Sequence, residues 1–202
     1  MGPGTDSGTG AGTGIGFGIA RDLIRRKLLG QLGNLRKLRD NSAVEMVNSA
    51  IERIPTARNI DSLRFIESEA AIAYWGAWRE VDVVFVERDR ARVPEHWLTF
   101  GVRRSFLTGN PRNATNPANA ILNYLYAILE SEARIAALTM GLDPGMGVMH
   151  ADQRARDSLA CDLMEAIRPN VDEYALDLLQ SRALRSAIFS KRAKAFAGSC
   201  LR

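Results

Sequence analysis

Two cysteines in 202 residues, Cys161 and Cys200, are too few for a disulfide framework. Neither belongs to a C-x-x-C pair, so zinc-ribbon and dithiol chemistry are excluded and reduced thiols are expected. Histidine is as scarce: there are only His96 and His150, and His150 is followed by Ala151. That argues against the helical phosphohydrolases built on several histidines and an adjacent His-Asp pair. No uninterrupted apolar run approaches the roughly 20 residues a bilayer span requires, and the N-terminus has no apolar signal core. A cytoplasmic protein with no membrane partner is therefore expected. The glycines of residues 1–18 all fall at even positions, so no G-x-G-x-x-G can be drawn, and no Lys-Ser or Lys-Thr completes a phosphate loop. Residues 1–18 read as a flexible glycine-rich leader.

Apolar residues make up 46% and charged residues 25%, the balance of a soluble globular domain long enough to bury a core. Net charge is +4, with 27 basic residues available for a polyanion. From 19 to about 40, Ile19, Leu23, Ile24, Leu28, Leu32, Leu35 and Leu38 recur at helical spacing. The polar side of that helix carries Arg21, Arg25, Arg26, Lys27, Arg36, Lys37 and Arg39, a face suited to phosphates or simply to water. A second helix is expected over about 42–54, ended by Pro55, and a third over roughly 59–80 with Asp61 or Ser62 as cap. Residues 81–86, VDVVFV, read as extended or irregular, and 94–117 as a loop region with His96 packed beside Trp97. Asn116-Pro117 supplies an N-cap and a first-turn proline for a long helix to about 140. Its apolar residues cover much of the circumference, so it is expected to be the central, buried helix. Short helices over 172–180 and 183–189 complete an all-α bundle.

Residues 141–169, GLDPGMGVMHADQRARDSLACDLMEAIRP, join a Gly-punctuated loop to an acidic helix. His150 follows the turn signal Asp143-Pro144-Gly145. Asp162 and Glu165 are three apart, on one helical face, where such a loop could deliver an imidazole. Two acids and a histidine can hold a divalent ion; equally, they can be a polar helix start beside a solvated acidic face.

The words GLDPGMGVMH and DSLACDLMEAIRP resemble the closing signature of the CRISPR-associated endonuclease and integrase family of spacer acquisition. Glu67, Ala70, Ala71, Tyr74 and Trp75 resemble the family's Glu-Gly-x-Ala-Ala-x-x-Tyr pattern, with Ser68 where glycine is usual. NAILNYLYAILE resembles its Asn-Ala-x-Leu-Asn-x-x-Tyr helix. The resemblance covers 19–202 and implies the helical catalytic domain, with the family's N-terminal β domain missing. It implies Glu67, His150 and Glu165 as catalytic ligands of Mg2+ or Mn2+, with Asp162 as an auxiliary carboxylate. Glu69, on another face of its helix, is the rival to Glu67. Asn119 and Asn123 are expected behind these ligands, orienting them or holding neighbouring loops. Arg25, Arg26, Lys27, Arg103 and Arg104 are expected on DNA, and Arg103, Arg104 and Arg112 resemble the family's basic stretch. The implied activity is phosphodiester transesterification that inserts short duplex DNA into CRISPR repeats in antiviral defence. The implied partners are duplex DNA, a second copy of the chain where the β domain is supplied, and a second adaptation protein. The competing expectation is a truncated remnant that binds DNA without catalysis.

Overall fold

The computed structural model describes residues 14–103, 114–149 and 157–189. The α-helices among these residues are α1 (Gly14–Leu38), α2 (Asn41–Arg53), α3 (Ile60–Ala77), the single turn α4 (Glu87–Arg90), α5 (Pro117–Thr139), α6 (Ser158–Glu165) and α7 (Arg168–Ser181), followed by helical residues 186–189. The all-α expectation holds. Among the described residues the extended segment after α3 makes only isolated bridges, Asp82 with Thr99 and Phe85 with Leu184. No described helix is long and apolar enough to cross a membrane.

Local chemistry explains where the helices begin. Asn116 accepts from the Asn119 amide at 2.8 Å and Pro117 occupies the first turn of α5, where no N–H is needed. The cap of α3 is Asn59, two residues before Asp61 and three before Ser62. Asn59 accepts from the Ser62 amide at 2.8 Å, and Ser62 Oγ accepts from the Asn59 amide at 3.1 Å, a reciprocal capping box. Helix α1 begins at Gly14, inside the stretch expected to be leader, and residues 1–13 lie outside the described part. Helix α7 begins at Arg168, four residues before the expected start, because Pro169 opens this helix instead of closing the segment before it.

The enclosed helix is α1. Ala20, Ile24, Leu28, Leu32 and Leu35 point into the core, and α1 packs on α2, α3, α6 and α7. Full burial of each large apolar side chain contributes roughly 1.5–3 kcal/mol. Contact with α7 is close: a Cβ on Gly30 would stand 2.6 Å from Pro169 Cβ, so only glycine fits that crossing. Helix α5 departs from the burial expected of it. Leu122 and Ala137 are buried, whereas Tyr124, Ile128, Ile135 and Leu138 are 43–58% exposed. Among the described residues helix α5 packs chiefly against α6 and α7, and part of its broad apolar surface is exposed. Tyr74, Trp75, Trp78 and Phe100 form an aromatic cluster at the end of α3, with Trp75 and Phe100 stacked at 5.9 Å.

Candidate metal centre

Three elements distant in sequence converge on one ammonium group. Lys27, on α1, is 7% exposed, although its place in a basic run had put it on the outer face. It follows Ile24 by three residues and precedes Gln31 by four, so it shares the inward stripe of the helix. Its Nζ lies 2.5 Å from Glu67 Oε1 on α3 and 2.7 Å from Glu165 Oε2 on α6. Arg168, at the start of α7, approaches the other oxygen of Glu165, Oε1, at 2.6 Å. Two carboxylates thus face two cations in a cluster of zero net charge, Lys27 and Glu165 buried, Glu67 and Arg168 part-buried. Burial alone would depress the Lys27 pKa, but Glu165 and Glu67 outweigh it and raise the ammonium above its ordinary 10.5. Arg168 is likewise held above its ordinary value, burial opposing and Glu165 prevailing. Glu69 faces the surface, where its Oε2 meets Arg53 at 2.7 Å.

Asp162 holds the loop that carries His150. Its Oδ2 accepts from the backbone amides of Val148 at 2.5 Å and Met149 at 2.9 Å. The Leu159 amide donates to the Pro144 carbonyl at 2.8 Å, and Asp143 closes a turn by accepting from the Gly145 amide at 2.8 Å. At Gly147 a Cβ would lie 2.5 Å from the Ser158 carbonyl carbon, so glycine permits the loop to lie on the start of α6. These contacts bring the chain to Met149, one residue short of His150, against the helix that carries Glu165. His150 itself, with Arg104 and Arg112, lies outside the described residues. Among the described residues no three metal-ligating side chains are grouped.

Of the other expected site residues, Asn119 and its neighbour Asn116 hold a loop. Their Nδ2 groups donate to the Phe100 carbonyl at 3.0 and 2.8 Å, fixing the preceding segment to the start of α5. Asn123 accepts from Arg103 at 3.3 Å. The Arg103 guanidinium lies over the rings of Trp75 and Tyr126, at 4.5 and 4.9 Å. Arg103, Asn123, Trp75, Tyr126 and Arg168 line a cleft of about 870 Å³, which shares Arg168 with the carboxylate cluster. Arg25 and Arg26 are exposed on α1. His96 is exposed, edge-on to Trp97 at 6.4 Å between centroids.

A second polar cluster lies deeper between α1, α3, α5 and α7. Asp172 accepts from the hydroxyls of Tyr74, at 2.9 Å, and Tyr126, while Asn34 donates to the Tyr74 hydroxyl at 3.0 Å and to the Pro169 carbonyl at 2.9 Å. Burial raises the Asp172 carboxyl from 3.8 to about 6 against the pull of both hydroxyls. Sequence reading passed over this cluster and expected Lys27 on DNA, a place its burial between Glu67 and Glu165 corrects. The available signal was a set of polar residues, Lys27, Gln31 and Asn34, in register with the apolar stripe of α1.

Residues 13–201 match the family described as CRISPR associated protein Cas1, and the chain belongs to that family. CRISPR-associated endonuclease Cas1 2 of Rhodospirillum rubrum is 34% identical, over 84% of this chain and 51% of that protein. Its counterpart Cas1 1 of Archaeoglobus fulgidus is also 34% identical, over 86% and 52%. The chain spans about half the length of the curated relatives it matches. Among solved structures, the fold resembles a casposase bound to integration product, with a TM-score of 0.65 and 24% identity over 84% of this chain and 47% of that one. It also resembles Cas1 from Thermotoga maritima, with a TM-score of 0.62 and 23% identity over 84% and 50%. A partial Cas6-RT-Cas1–Cas2 complex gives a TM-score of 0.67 at 21% identity, over 85% and 48%.

Proposed function

We propose that this chain is the metal-binding catalytic part of a DNA endonuclease and integrase that inserts short DNA into CRISPR repeats. The observation that carries the reading is the convergence of Glu67 and Glu165, from helices far apart in sequence, on a single cation beside the loop that leads to His150. The donor set fits the implied ion: carboxylate oxygens and one imidazole suit Mg2+ or Mn2+, and the two carboxylates already stand close enough to share one positive centre. When bound, that ion would polarise a phosphodiester and offset charge on the leaving oxygen. Glu67, His150 and Glu165 would hold it, and Asp162 would fix the loop that presents His150. Arg25 and Arg26 would meet backbone phosphates from the exposed side of α1, and Arg103 would do so from the cleft, with Arg104 beside it in sequence. Attack by a DNA 3′-hydroxyl gives integration and attack by water gives nicking. Duplex DNA, a second copy of the chain and a second adaptation protein are the partners this reading requires. A Cas1–Cas2 assembly among the fold's neighbours supports the last of these.

The test is Mn2+-dependent nicking and strand transfer with His150→Ala and Glu165→Gln, using Asp152→Asn as control. Loss of about a hundredfold or more in the first two, with helix content kept and the control active, is expected. A His150 variant that cleaves at the wild-type rate removes the site. A wild-type protein that binds DNA and never cleaves it is a DNA-binding remnant.

A further inference from the structure

Lys27 is the one residue of the carboxylate cluster that neither the motif pattern nor the family's implied ligand set accounts for, and its ammonium sits where the two ligand carboxylates meet. Four observations bear on its role. Its Nζ touches one oxygen of each carboxylate, at 2.5 and 2.7 Å, so a compact monovalent cation stands between the groups that would hold a divalent one. The residue is 7% exposed and Glu165 is 3% exposed, so water contributes little to balancing these charges. The second oxygen of Glu165 is already held by Arg168, at 2.6 Å, so one cation would remain if the ammonium left. Charge sets the last constraint. The cluster is neutral with Lys27 in place; a divalent ion added to it would leave two uncompensated positive charges in a buried site, whereas an ion replacing the ammonium would leave one, which a DNA phosphate neutralises.

We infer that Lys27 is a tethered counter-cation that occupies the metal position in the metal-free protein and leaves Glu67 and Glu165 when Mg2+ or Mn2+ enters. The ammonium prevents the buried Glu165 and the part-buried Glu67 from repelling each other before metal arrives, and so keeps them at the spacing that the ion requires. A lysine suits this task better than an arginine: its charge is a compact point on a flexible four-carbon stem, which withdraws without dismantling a planar bidentate pair of the kind Arg168 can form. The exchange has a thermodynamic consequence. Apparent metal affinity is the intrinsic affinity multiplied by the fraction of molecules whose site the ammonium has vacated, so Lys27 weakens metal binding while stabilising the empty protein. Lys27 is on this account a positioning residue for the ligand carboxylates.

The inference rests on the metal-centre reading above, and one experiment separates the two. Mn2+ binding is followed by the loss of the free-ion paramagnetic resonance signal, and the thermal midpoint is recorded with and without Mn2+, for wild type, Lys27→Met, Lys27→Gln and Glu165→Gln. Lys27→Met and Lys27→Gln should bind Mn2+ about tenfold more tightly than wild type or better, melt lower than wild type without metal, and regain the lost midpoint when saturated. If the lysine variants bind Mn2+ no more tightly than wild type while Glu165→Gln loses the ion, the metal centre stands and the exchange is wrong. If wild type and both lysine variants bind no Mn2+, the metal centre itself is wrong. Should both lysine variants be unfolded without metal, refolding on addition of Mn2+ supports the exchange. Failure to refold at any Mn2+ concentration overturns it, because the ion then does not take the ammonium's place.

Discussion

Two polar clusters lie along α1, about two turns apart, and they are held in different ways. Lys27, Glu67, Glu165 and Arg168 balance one another by charge. Asn34, Tyr74, Tyr126 and Asp172 are closed by hydroxyl and amide hydrogen bonds around one carboxylate. A carboxylate that accepts from two fixed hydroxyls has its partners built into the fold. A carboxylate held by a flexible ammonium has a partner that another cation can replace. The deeper cluster therefore belongs to the architecture, joining α1, α3, α5 and α7, and the shallower one, on the proposed function, to chemistry.

Removing a carboxylate from each cluster gives the widest separation between them. Asp172→Ala leaves the Tyr74 and Tyr126 hydroxyls without their buried acceptor. At about 1–3 kcal/mol for each unsatisfied group, it should lower stability by roughly 3–4 kcal/mol in urea denaturation. Glu67→Gln removes one of two carboxylates from Lys27 and should cost less stability while abolishing Mn2+-dependent nicking. If Glu67→Gln destabilises as much as Asp172→Ala, the shallow cluster is architectural as well.

Titration sharpens the distinction. The Asp172 carboxyl is raised from 3.8 to about 6, so between those values the unfolded chain has released its proton and the folded chain still holds it. The folded state then binds more protons, and this group's contribution to stability falls as pH rises from about 4 to about 6. The full effect is at most about 3 kcal/mol. Urea midpoints measured across that window should show wild type losing stability relative to Asp172→Asn, with the two curves parallel above pH 7. Parallel curves throughout would mean that Asp172 titrates normally.

What the sequence made legible follows from how local each signal is. The start of α5 depended on Asn116 and Pro117 acting within one turn, and it fell where expected. Helix phase put Glu67 and Glu69 on different faces, and the resemblance picked Glu67 as the inward one, as it is. The burial of Lys27 was hidden by the five other cations of α1, since a basic run looks like a solvated face until the apolar stripe is drawn through it. The start of α7 was missed because proline both ends one helix and begins the next, and only the path of the chain tells which. The uncovered side of α5 was equally out of reach, because periodicity reports which residues are apolar and not which neighbours arrive to cover them.

The smallest expected effect tests whether the two clusters are independent. They share α1 and α7: Gly30 lies between Lys27 and Asn34 on the first, and Arg168 and Pro169 are adjacent on the second. Gly30→Ala would push its Cβ into Pro169, at 2.6 Å, and overpacking of this kind costs about 1–3 kcal/mol. The Pro169 carbonyl is held by Asn34, which also holds Tyr74, so the displacement should run into the deeper cluster. A double-mutant cycle of Gly30→Ala with Tyr74→Phe should therefore deviate from additivity by more than about 0.5 kcal/mol. Tyr74→Phe with Lys27→Met should add within that margin, because no hydrogen bond or ion pair among the described residues links Tyr74 directly to Lys27. Strong coupling in the second cycle would merge the two clusters into one network, and the Lys27 ammonium would then be too firmly tied to the core to leave its carboxylates for a metal ion.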